Sequence, residues 1–226
     1  MKDIYENRQW HSSDINDYTN STIHSYLNST FFNLIDSDIR NAIKQVKIPY
    51  QNGTGSGGSL ATGVNGLSTK VFLLSGSEVG WTTSDNSYFP KDGVRLVYFG
   101  NSSGGNSKRI AYNGSSAAIW WLRSPTTNSA DNVWSIVSDG SYSGWYCSRS
   151  YGVRPAFILP SSLVVSDDST VIGNLAPEVT SDAGATGAEL GEKNAPFTVG
   201  YTVTDKNGDL MTVTEKLDGE VKRRKD

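Results

Sequence analysis

Two apolar segments constrain the fold of this chain more than any other feature. The first runs from Ile119 to Pro125 and the second from Gly152 to Phe157, and each carries one arginine followed shortly by a proline. Aromatic and β-branched residues favour strands, and a proline cannot donate to the ladder of a central strand. We therefore predict two buried strands whose pairing ends at the prolines. Their core side chains are expected to be Trp120 or Trp121, Leu122, Val153 and Phe157.

The segment between these strands, residues 126–151, has a very different composition. It is rich in Ser, Asn, Asp, Tyr, Trp and Gly, which is typical of adaptable recognition loops. Tyr and Trp bury a large area with few torsions to freeze, and Arg adds a planar set of donors. We predict a ligand-binding surface made of the following side chains: Asn128, Asp131, Asn132, Trp134, Tyr142, Trp145, Tyr146, Arg149 and Tyr151.

The same aromatic side chains could instead fill the space between long loops, and for any single residue this alternative stays open. Strand alternation also means that Trp145 and Tyr146 cannot both face a ligand. For the cluster as a whole we favour exposure, because the interleaved Ser, Gly and Asp leave little apolar surface to cover it. Alanine at Trp134, Tyr142 or Arg149 is then expected to weaken binding and to leave the melting temperature nearly unchanged.

Composition limits the classes of function. The 226 residues carry a formal net charge of −3, and the only basic cluster, residues 222–225, is typical of a solvated tail, so we do not expect nucleic-acid binding. No apolar run approaches the roughly 18 residues that span a bilayer, so membrane insertion is not expected. The single cysteine, Cys147, excludes an intramolecular disulfide framework. We expect neither a cofactor nor a metal ion.

Periodicity predicts an α+β domain over residues 4–160. Ser21 to Leu27 is typical of a short helix that is capped by Ser21 or Asn20, with Ile23, Tyr26 and Leu27 facing inward. Asp36 to Val46 predicts a second helix that stops before Pro49. The apolar run from Val71 to Leu74 indicates a central strand.

The composition changes after Pro160. Residues 161–176 are predicted to be a linker, and residues 177–226 an incomplete immunoglobulin-like β domain. The second prediction rests on clean alternation over 197–203, followed by a polar turn and another alternating run at 210–214. A complete sandwich needs ~100 residues, so only part of one fits here.

Motifs that suggest catalysis lack the context that their chemistry needs. Residues 100–104 match the G-x-S-x-G nucleophile elbow, but His11 and His24 both lie upstream, whereas the triad order requires a histidine downstream. Cys147 is expected to be a packed strand residue rather than a nucleophile. Arg123 and Arg154 lie within the two bracketing strands, so structural anchoring is favoured for them over ligand binding.

Several short motifs resemble a known family. Ser25-Tyr26-Leu27-Asn28, Trp121-Leu122-Arg123-Ser124-Pro125 and Gly152-Val153-Arg154-Pro155-Ala156-Phe157 follow one another in this order. Their arrangement resembles an uncharacterised domain of Firmicutes surface proteins and of the tail proteins of their phages. That domain is related to the C-type-lectin-like fold of formylglycine-generating enzymes and of variable proteins diversified by retroelements. The resemblance implies a C-type-lectin-like α+β fold with two helices, small antiparallel sheets and long loops.

The resemblance implies display of a binding surface rather than catalysis. Formylglycine-generating enzymes use a pair of active-site cysteines, and this chain has one. Residues 131–134 match neither of the sugar-binding signatures of calcium-dependent lectins. In retroelement-diversified members the region before the final Gly-x-Arg strand is the variable one, and residues 128–151 share its bias toward Asn, Ser, Tyr and Asp.

We therefore expect a receptor-binding module of a phage or prophage tail structural protein that recognises a host surface protein or glycan. The expected location is the virion or the extracellular surface of a Gram-positive bacterium. The main alternative is a structural decoration or spacer domain that contacts other tail or surface-protein domains, and a homo-oligomer is compatible with both. An enzyme of the formylglycine-generating type is the least favoured interpretation.

Overall fold

The computed structural model describes residues 4–52 and 55–161, together with short strand segments at 164–165, 171–172, 178–181, 200–204, 213–217 and 220–225. The chain divides into two compact units, Met1–Pro160 and Ser161–Asp226. None of the helices in the described part of the chain is long and apolar enough to cross a membrane.

The first unit is built mostly from short strands. These are β1 (Glu6–Gln9), β2 (Val46–Ile48), β3 (Tyr50–Asn52), β4 (Ser59–Ala61), β5 (Leu67–Thr69), β6 (Val71–Phe72), β7 (Ala111–Asn113), β8 (Ser116–Ala118), β9 (Trp120–Pro125), β10 (Asn132–Ile136), β11 (Tyr142–Tyr146), β12 (Ser150–Val153) and β13 (Ala156–Phe157). The helices are α1 (Thr22–Tyr26), which continues through a π-helical turn (Leu27–Phe31) into α2 (Phe32–Leu34), then α3 (Ser37–Ala42) and α4 (Asn106–Arg109). Short 3-10 turns lie at Tyr18–Asn20, Gly55–Gly57, Gly63–Asn65 and Ser102–Gly105. A mixed α+β architecture with few helices and many small sheets was the coarse prediction, and it is confirmed.

A five-stranded sheet in the order β1-β12-β9-β10-β11 forms the centre of this unit. Both bracketing segments contribute to it, as predicted: β9 and β12 are neighbours and pair in parallel at Gly152 and Trp120. The other pairings are antiparallel, and the register between β9 and β10 shifts between Val133 and Ser135. β1 and β11 are the two edge strands.

Both faces of the central sheet are covered by apolar side chains. Adjacent residues of a strand point to opposite faces, so Trp121 belongs to the core that contains the helices, and Trp120 and Leu122 belong to the core under residues 75–118. These three side chains and Val153 are fully buried, as predicted. Phe157 is only partly buried, because it lies on the short sheet of β6 and β13 at the margin of the first core.

The first predicted helix is confirmed and extends beyond its predicted end. The Ser21 hydroxyl caps α1 by accepting from the His24 N–H at 3.1 Å, while Ile23 and Leu27 are buried and Tyr26 is partly buried. The asparagine at position 28 then ties the helix to β6, because its side-chain amide donates to the Val71 carbonyl at 2.8 Å. This hydrogen bond fixes the helical segment that begins with α1 to strand β6.

Two predicted elements, the second helix and the strand at 71–74, differ from the prediction in their length or position. The second helix begins after the Asp36 cap as expected, but it ends at Ala42, and Val46 starts strand β2 because β-branched and alternating residues follow. The run from 71 to 74 is not a central strand: only Val71 and Phe72 form a strand, and they pair with β13 in a separate two-stranded sheet.

The second unit contains three antiparallel strand pairs among its described residues: Val164–Val165 with Val171–Ile172, Glu178–Ser181 with Tyr201–Thr204, and Val213–Leu217 with Glu220–Lys225. The hairpin expected between 197–203 and 210–214 is not seen among the described residues, where Tyr201–Thr204 pairs with Glu178–Ser181 and Val213–Leu217 pairs with Glu220–Lys225. The whole turn at 205–209, together with residues 210–212 and 197–199, lies outside the described residues. The segment expected to be a plain linker contains the pairing at 164–172.

Candidate binding surface

The predicted recognition segment forms the β11 edge of the central sheet. Strands β10 and β11 are joined by a tight turn in which the Gly140 N–H donates to the Val137 carbonyl at 2.9 Å. Gly140 has a φ of 81°, and a β-carbon there would lie 2.0 Å from the Asn106 carbonyl oxygen. Only glycine fits at this position. The tight turn predicted from Asp139-Gly140 is confirmed, and it fixes the register of the hairpin.

Strand alternation sends Trp134 and Tyr142 into the core rather than toward a ligand. Trp134 is 5% exposed and stacks on Phe89 with ring centroids 4.3 Å apart. Tyr142 lies edge-on to the rings of Trp81, Phe89 and Trp134, and its hydroxyl donates to the Asp85 carbonyl at 3.0 Å. The expectation that Trp134 is exposed is therefore wrong, because the loop from 81 to 89 covers this face of the hairpin.

Trp145 lies on the opposite face of the same hairpin, and Tyr151 lies on β12 beside the same core. Both are partly buried against the helical core, and the Tyr151 ring lies between Trp121 and Trp145 at centroid distances of 5.0 and 5.6 Å. Tyr146, by contrast, is 50% exposed. The prediction that Trp145 and Tyr146 cannot both face a ligand is confirmed, and Tyr146 is the one that reaches solvent.

Tyr146 lies at a corner where the remaining predicted residues meet. It pairs with Asn132 across the hairpin, and its carbonyl accepts from the Arg149 N–H at 3.0 Å. Asn128 and Arg149 are exposed, whereas Asp131 and Asn132 are half-buried. The corner therefore combines an exposed aromatic ring with amide, carboxylate and guanidinium groups.

A buried asparagine that the sequence reading overlooked holds this corner in shape. Asn16 is fully buried, and its side-chain amide donates to the carbonyls of Ser129 and Asn132 at 2.8 and 2.7 Å. Its backbone N–H donates to the Ala130 carbonyl at 2.9 Å. Four carbonyls of the 126–132 loop, those of Thr126, Ser129, Ala130 and Asn132, thus accept from Asn16, which fixes the path of the loop.

Tyr88 is a second residue that the sequence reading missed. Its carbonyl accepts from the Thr127 N–H at 3.0 Å and from the Trp134 indole N–H at 3.2 Å, which places it beside the 126–132 loop. Its side chain is 45% exposed. The composition of its loop, rich in Ser, Thr, Asn and Asp like residues 126–151, was the available signal. We call the surface formed by Tyr88, Asn128, Asp131, Asn132, Tyr146 and Arg149 the Tyr88–Tyr146 surface.

The two arginines of the bracketing strands are structural. Arg123 is 1% exposed and forms a bidentate pair with Glu78, with N–O distances of 2.6 and 2.7 Å. The same guanidinium donates to the carbonyls of Pro49, Leu73 and Asp92. It therefore joins three loops to β9, and the structural role predicted for Arg123 is confirmed. Arg154 lies 4.5 Å above the Trp120 ring.

A buried carboxyl group accompanies this ion pair. Asp92 is fully buried, and its Oδ2 accepts from the Ser124 hydroxyl at 2.7 Å. Burial raises the pKa of Asp92 to about 6, against the opposing effect of the nearby Arg123 charge. Asp92 therefore titrates near neutral pH, inside the scaffold and away from the Tyr88–Tyr146 surface.

The groups considered for catalysis are placed unfavourably for it. Cys147 is buried, and burial raises the pKa of its thiol to about 12, so the thiolate is scarce at neutral pH. The His11 N–H donates to the Cys147 carbonyl at 3.1 Å, but the His11 ring contacts the Ser13 hydroxyl instead of the thiol. The ring of His24 contacts Thr69. Within the residues that the structure describes, no group of three or more His, Cys, Asp or Glu could hold a metal ion.

Comparison with known proteins identifies the family to which the chain belongs. No curated protein and no solved structure matches this chain. One family, described as a domain of unknown function (DUF6273), matches over residues 1–161. This range covers well over half of the 226 residues, and it includes both bracketing strands and the entire Tyr88–Tyr146 surface. The chain belongs to this family of domains of unknown function.

Proposed function

We propose that residues 1–161 form a C-type-lectin-like recognition domain that binds a host surface protein or glycan through the Tyr88–Tyr146 surface. Its expected setting is a phage or prophage tail, or the surface of a Gram-positive bacterium. The order of the Trp121 to Pro125 and Gly152 to Phe157 motifs supports the finer fold assignment, as does the α+β architecture in which both motifs form neighbouring central strands.

The observation that carries this proposal is a pair of half-exposed tyrosines on a fixed backbone. Tyr88 and Tyr146 are 45% and 50% exposed. The Tyr88 carbonyl accepts from the Thr127 N–H and the Trp134 indole N–H, and Tyr146 lies on β11, which pairs with β10. Large exposed aromatic rings on rigid supports lose little entropy when a ligand covers them. Tyrosine is enriched among the residues that carry most of the binding energy of protein interfaces.

The chemistry of the surface suits a polar ligand with flat apolar faces. Tyrosine rings stack on such faces, the Asn128 amide both donates and accepts, and the Arg149 guanidinium offers several donors in one plane. Sugars and the polar surfaces of proteins both have this character. The half-buried carboxylate of Asp131 adds an acceptor, so a strongly anionic ligand is disfavoured beside it.

The test is a binding panel of host cells and purified cell-wall glycans with matched variants. Tyr146→Ala and Arg149→Ala should reduce binding by about tenfold or more, as expected for aromatic and arginine contacts at the centre of an interface. Tyr112→Ala is the control, because Tyr112 is 44% exposed on the separate hairpin of β7 and β8. Protease or glycosidase treatment of the cells separates a protein receptor from a glycan.

Two results would overturn this proposal. One is binding that the Tyr146→Ala and Arg149→Ala variants retain in full. The other is a wild-type protein that binds none of the cells or glycans of its host, which would favour the decoration or spacer role instead.

A further inference from the structure

A second exposed feature lies outside the Tyr88–Tyr146 surface, where four apolar side chains project into solvent from residues 94–98. The exposed fractions are 84% for Val94, 43% for Leu96, 96% for Val97 and 55% for Tyr98. Single exposed apolar residues are ordinary on protein surfaces, whereas a contiguous group of them marks a contact site. We call residues 94–98 the apolar turn.

The backbone of the apolar turn is fixed. The Phe99 N–H donates to the Leu96 carbonyl at 3.1 Å, which puts Val97 and Tyr98 at the two central positions of a tight turn. Those positions usually hold Gly, Pro, Asn, Asp or Ser. Phe99 is buried in the core, and the Leu96 N–H donates to the Glu78 carbonyl at 2.9 Å. The two most exposed valines are therefore held outward by an anchored turn.

Cationic side chains surround the apolar turn. Lys91 and Arg95 are exposed, and the Lys108 ammonium lies 5.0 Å from the centroid of the Tyr98 ring. Between residues 86 and 110 the only carboxyl side chain is that of Asp92, which is fully buried. The exposed charges of residues 86–110 are therefore all positive, although the chain as a whole has a formal net charge of −3.

We propose that the apolar turn contacts the interface of an anionic lipid bilayer. A soluble polyanion would engage the cations and leave the valines in water, and an uncharged apolar surface would cover the valines and leave the cations without anionic partners. An anionic bilayer offers acyl chains and negative headgroups together. The contact is peripheral and shallow, made by the side chains of one turn, and it does not depend on the Tyr88–Tyr146 surface.

Vesicle sedimentation of the full chain tests this proposal. The protein should co-sediment with phosphatidylglycerol-containing vesicles and not with pure phosphatidylcholine vesicles, and added salt should weaken the association. Val97→Asp should reduce the apparent affinity by about tenfold or more, since it places a carboxylate at the deepest point of contact. Val94→Asp serves as a second variant at the same surface.

Val64→Asp is the matched control, because Val64 is 81% exposed on an unrelated 3-10 turn, and it should bind vesicles like the wild type. All three valines are exposed, so thermal melts should be unchanged. The proposal is overturned if the wild type ignores anionic vesicles, which would assign the apolar turn to a protein partner. It is also overturned if Val97→Asp and Val94→Asp bind as well as Val64→Asp does.

Discussion

Replacing Glu78 by glutamine should destabilise the first unit strongly, although the two side chains have the same shape. Glu78 is the carboxylate partner of the buried Arg123, and both of its oxygens accept from that guanidinium at 2.6 and 2.7 Å. The Oε2 atom also accepts from the Ser75 N–H at 2.9 Å. In the Glu78→Gln variant one oxygen becomes an NH₂ group that faces the guanidinium donors, and the charge of Arg123 loses its compensation.

The size of the effect follows from the burial of the pair, whose side chains are 0% and 12% exposed. Removing one partner of a buried ion pair costs about 3–5 kcal/mol. We expect a destabilisation at the lower end of this range. Without the Glu78 charge, the nearby Asp92 ionises more readily and compensates part of the positive charge of Arg123. About 3 kcal/mol corresponds to a fall in Tm of about 6–12 °C for a domain of this size, measured by calorimetry or circular dichroism.

Glu6→Gln supplies the matched control. Glu6 also accepts from an arginine, Arg8, at 2.7 Å, but those side chains are 31% and 41% exposed, and a surface pair contributes about 1 kcal/mol or less. The two variants should therefore differ by several degrees in Tm. Equal and small shifts would refute the conclusion that the Arg123–Glu78 pair organises the loops around β9.

Three further predictions concern buried groups of the scaffold. Burial raises the pKa of Asp92 to about 6, so the stability that its protonated form contributes is present at low pH and is lost as pH rises through that value. Between about pH 7.5 and about pH 5 the wild type should gain roughly 1 kcal/mol in free energy of unfolding relative to Asp92→Asn. A pH series of urea denaturation that shows no such difference would contradict this. The comparison with the variant removes the opposing contribution of His24, whose lowered pKa destabilises the fold as pH falls. Trp134→Ala should lower the free energy of unfolding by about 3–5 kcal/mol in the same denaturation assay. Tyr146→Ala should lower it by less than about 1 kcal/mol. Similar decreases for the two variants would mean that Tyr146 is also part of the core. Cys147 should resist a thiol reagent in the native protein and react fully in denaturant, since burial raises the pKa of its thiol to about 12; rapid native labelling would show that the site is open.

The bracketing strands were predictable because their signal is local. Trp120, Trp121 and Leu122 are consecutive bulky residues, and a short aromatic-rich run that ends at a proline favours a buried strand. Alternation then determines that neighbouring tryptophans enter different cores, whichever strands lie beside them. The cap at Ser21 and the turn at Gly140 were predictable for the same reason, since each depends on a few adjacent residues.

The division of the recognition segment was not predictable, because it depends on a distant loop. Trp134 and Tyr142 have the composition of contact residues, but the loop containing Trp81 and Phe89 folds over them and turns them into core. The sequence of residues 126–151 does not indicate that the loop with Trp81 and Phe89 packs over them. The role of Asn16 was hidden for a similar reason, since its acceptors lie more than a hundred residues away.

The short strands show a third limit. Val46 continues the helical spacing of Ile39 and Ile43, so the sequence favoured one long helix, yet the chain leaves the helix at Ala42 and pairs Val46 with Thr69. Hydrogen bonding between β2 and β5 outweighs the local helical preference at this position. Val71 pairs with Phe157 for the same reason: the partner, rather than the segment itself, decides the element.

The most direct test of the central claim is a hydrogen-exchange footprint of the wild-type chain bound to a ligand from the host panel. If the Tyr88–Tyr146 surface is the recognition site, binding should slow exchange in residues 86–88, 126–132 and 146–150. The hairpin at 111–118 should exchange as it does in the free protein. Protection that appears at 111–118 and leaves 126–132 and 146–150 unchanged would contradict the assignment of this surface.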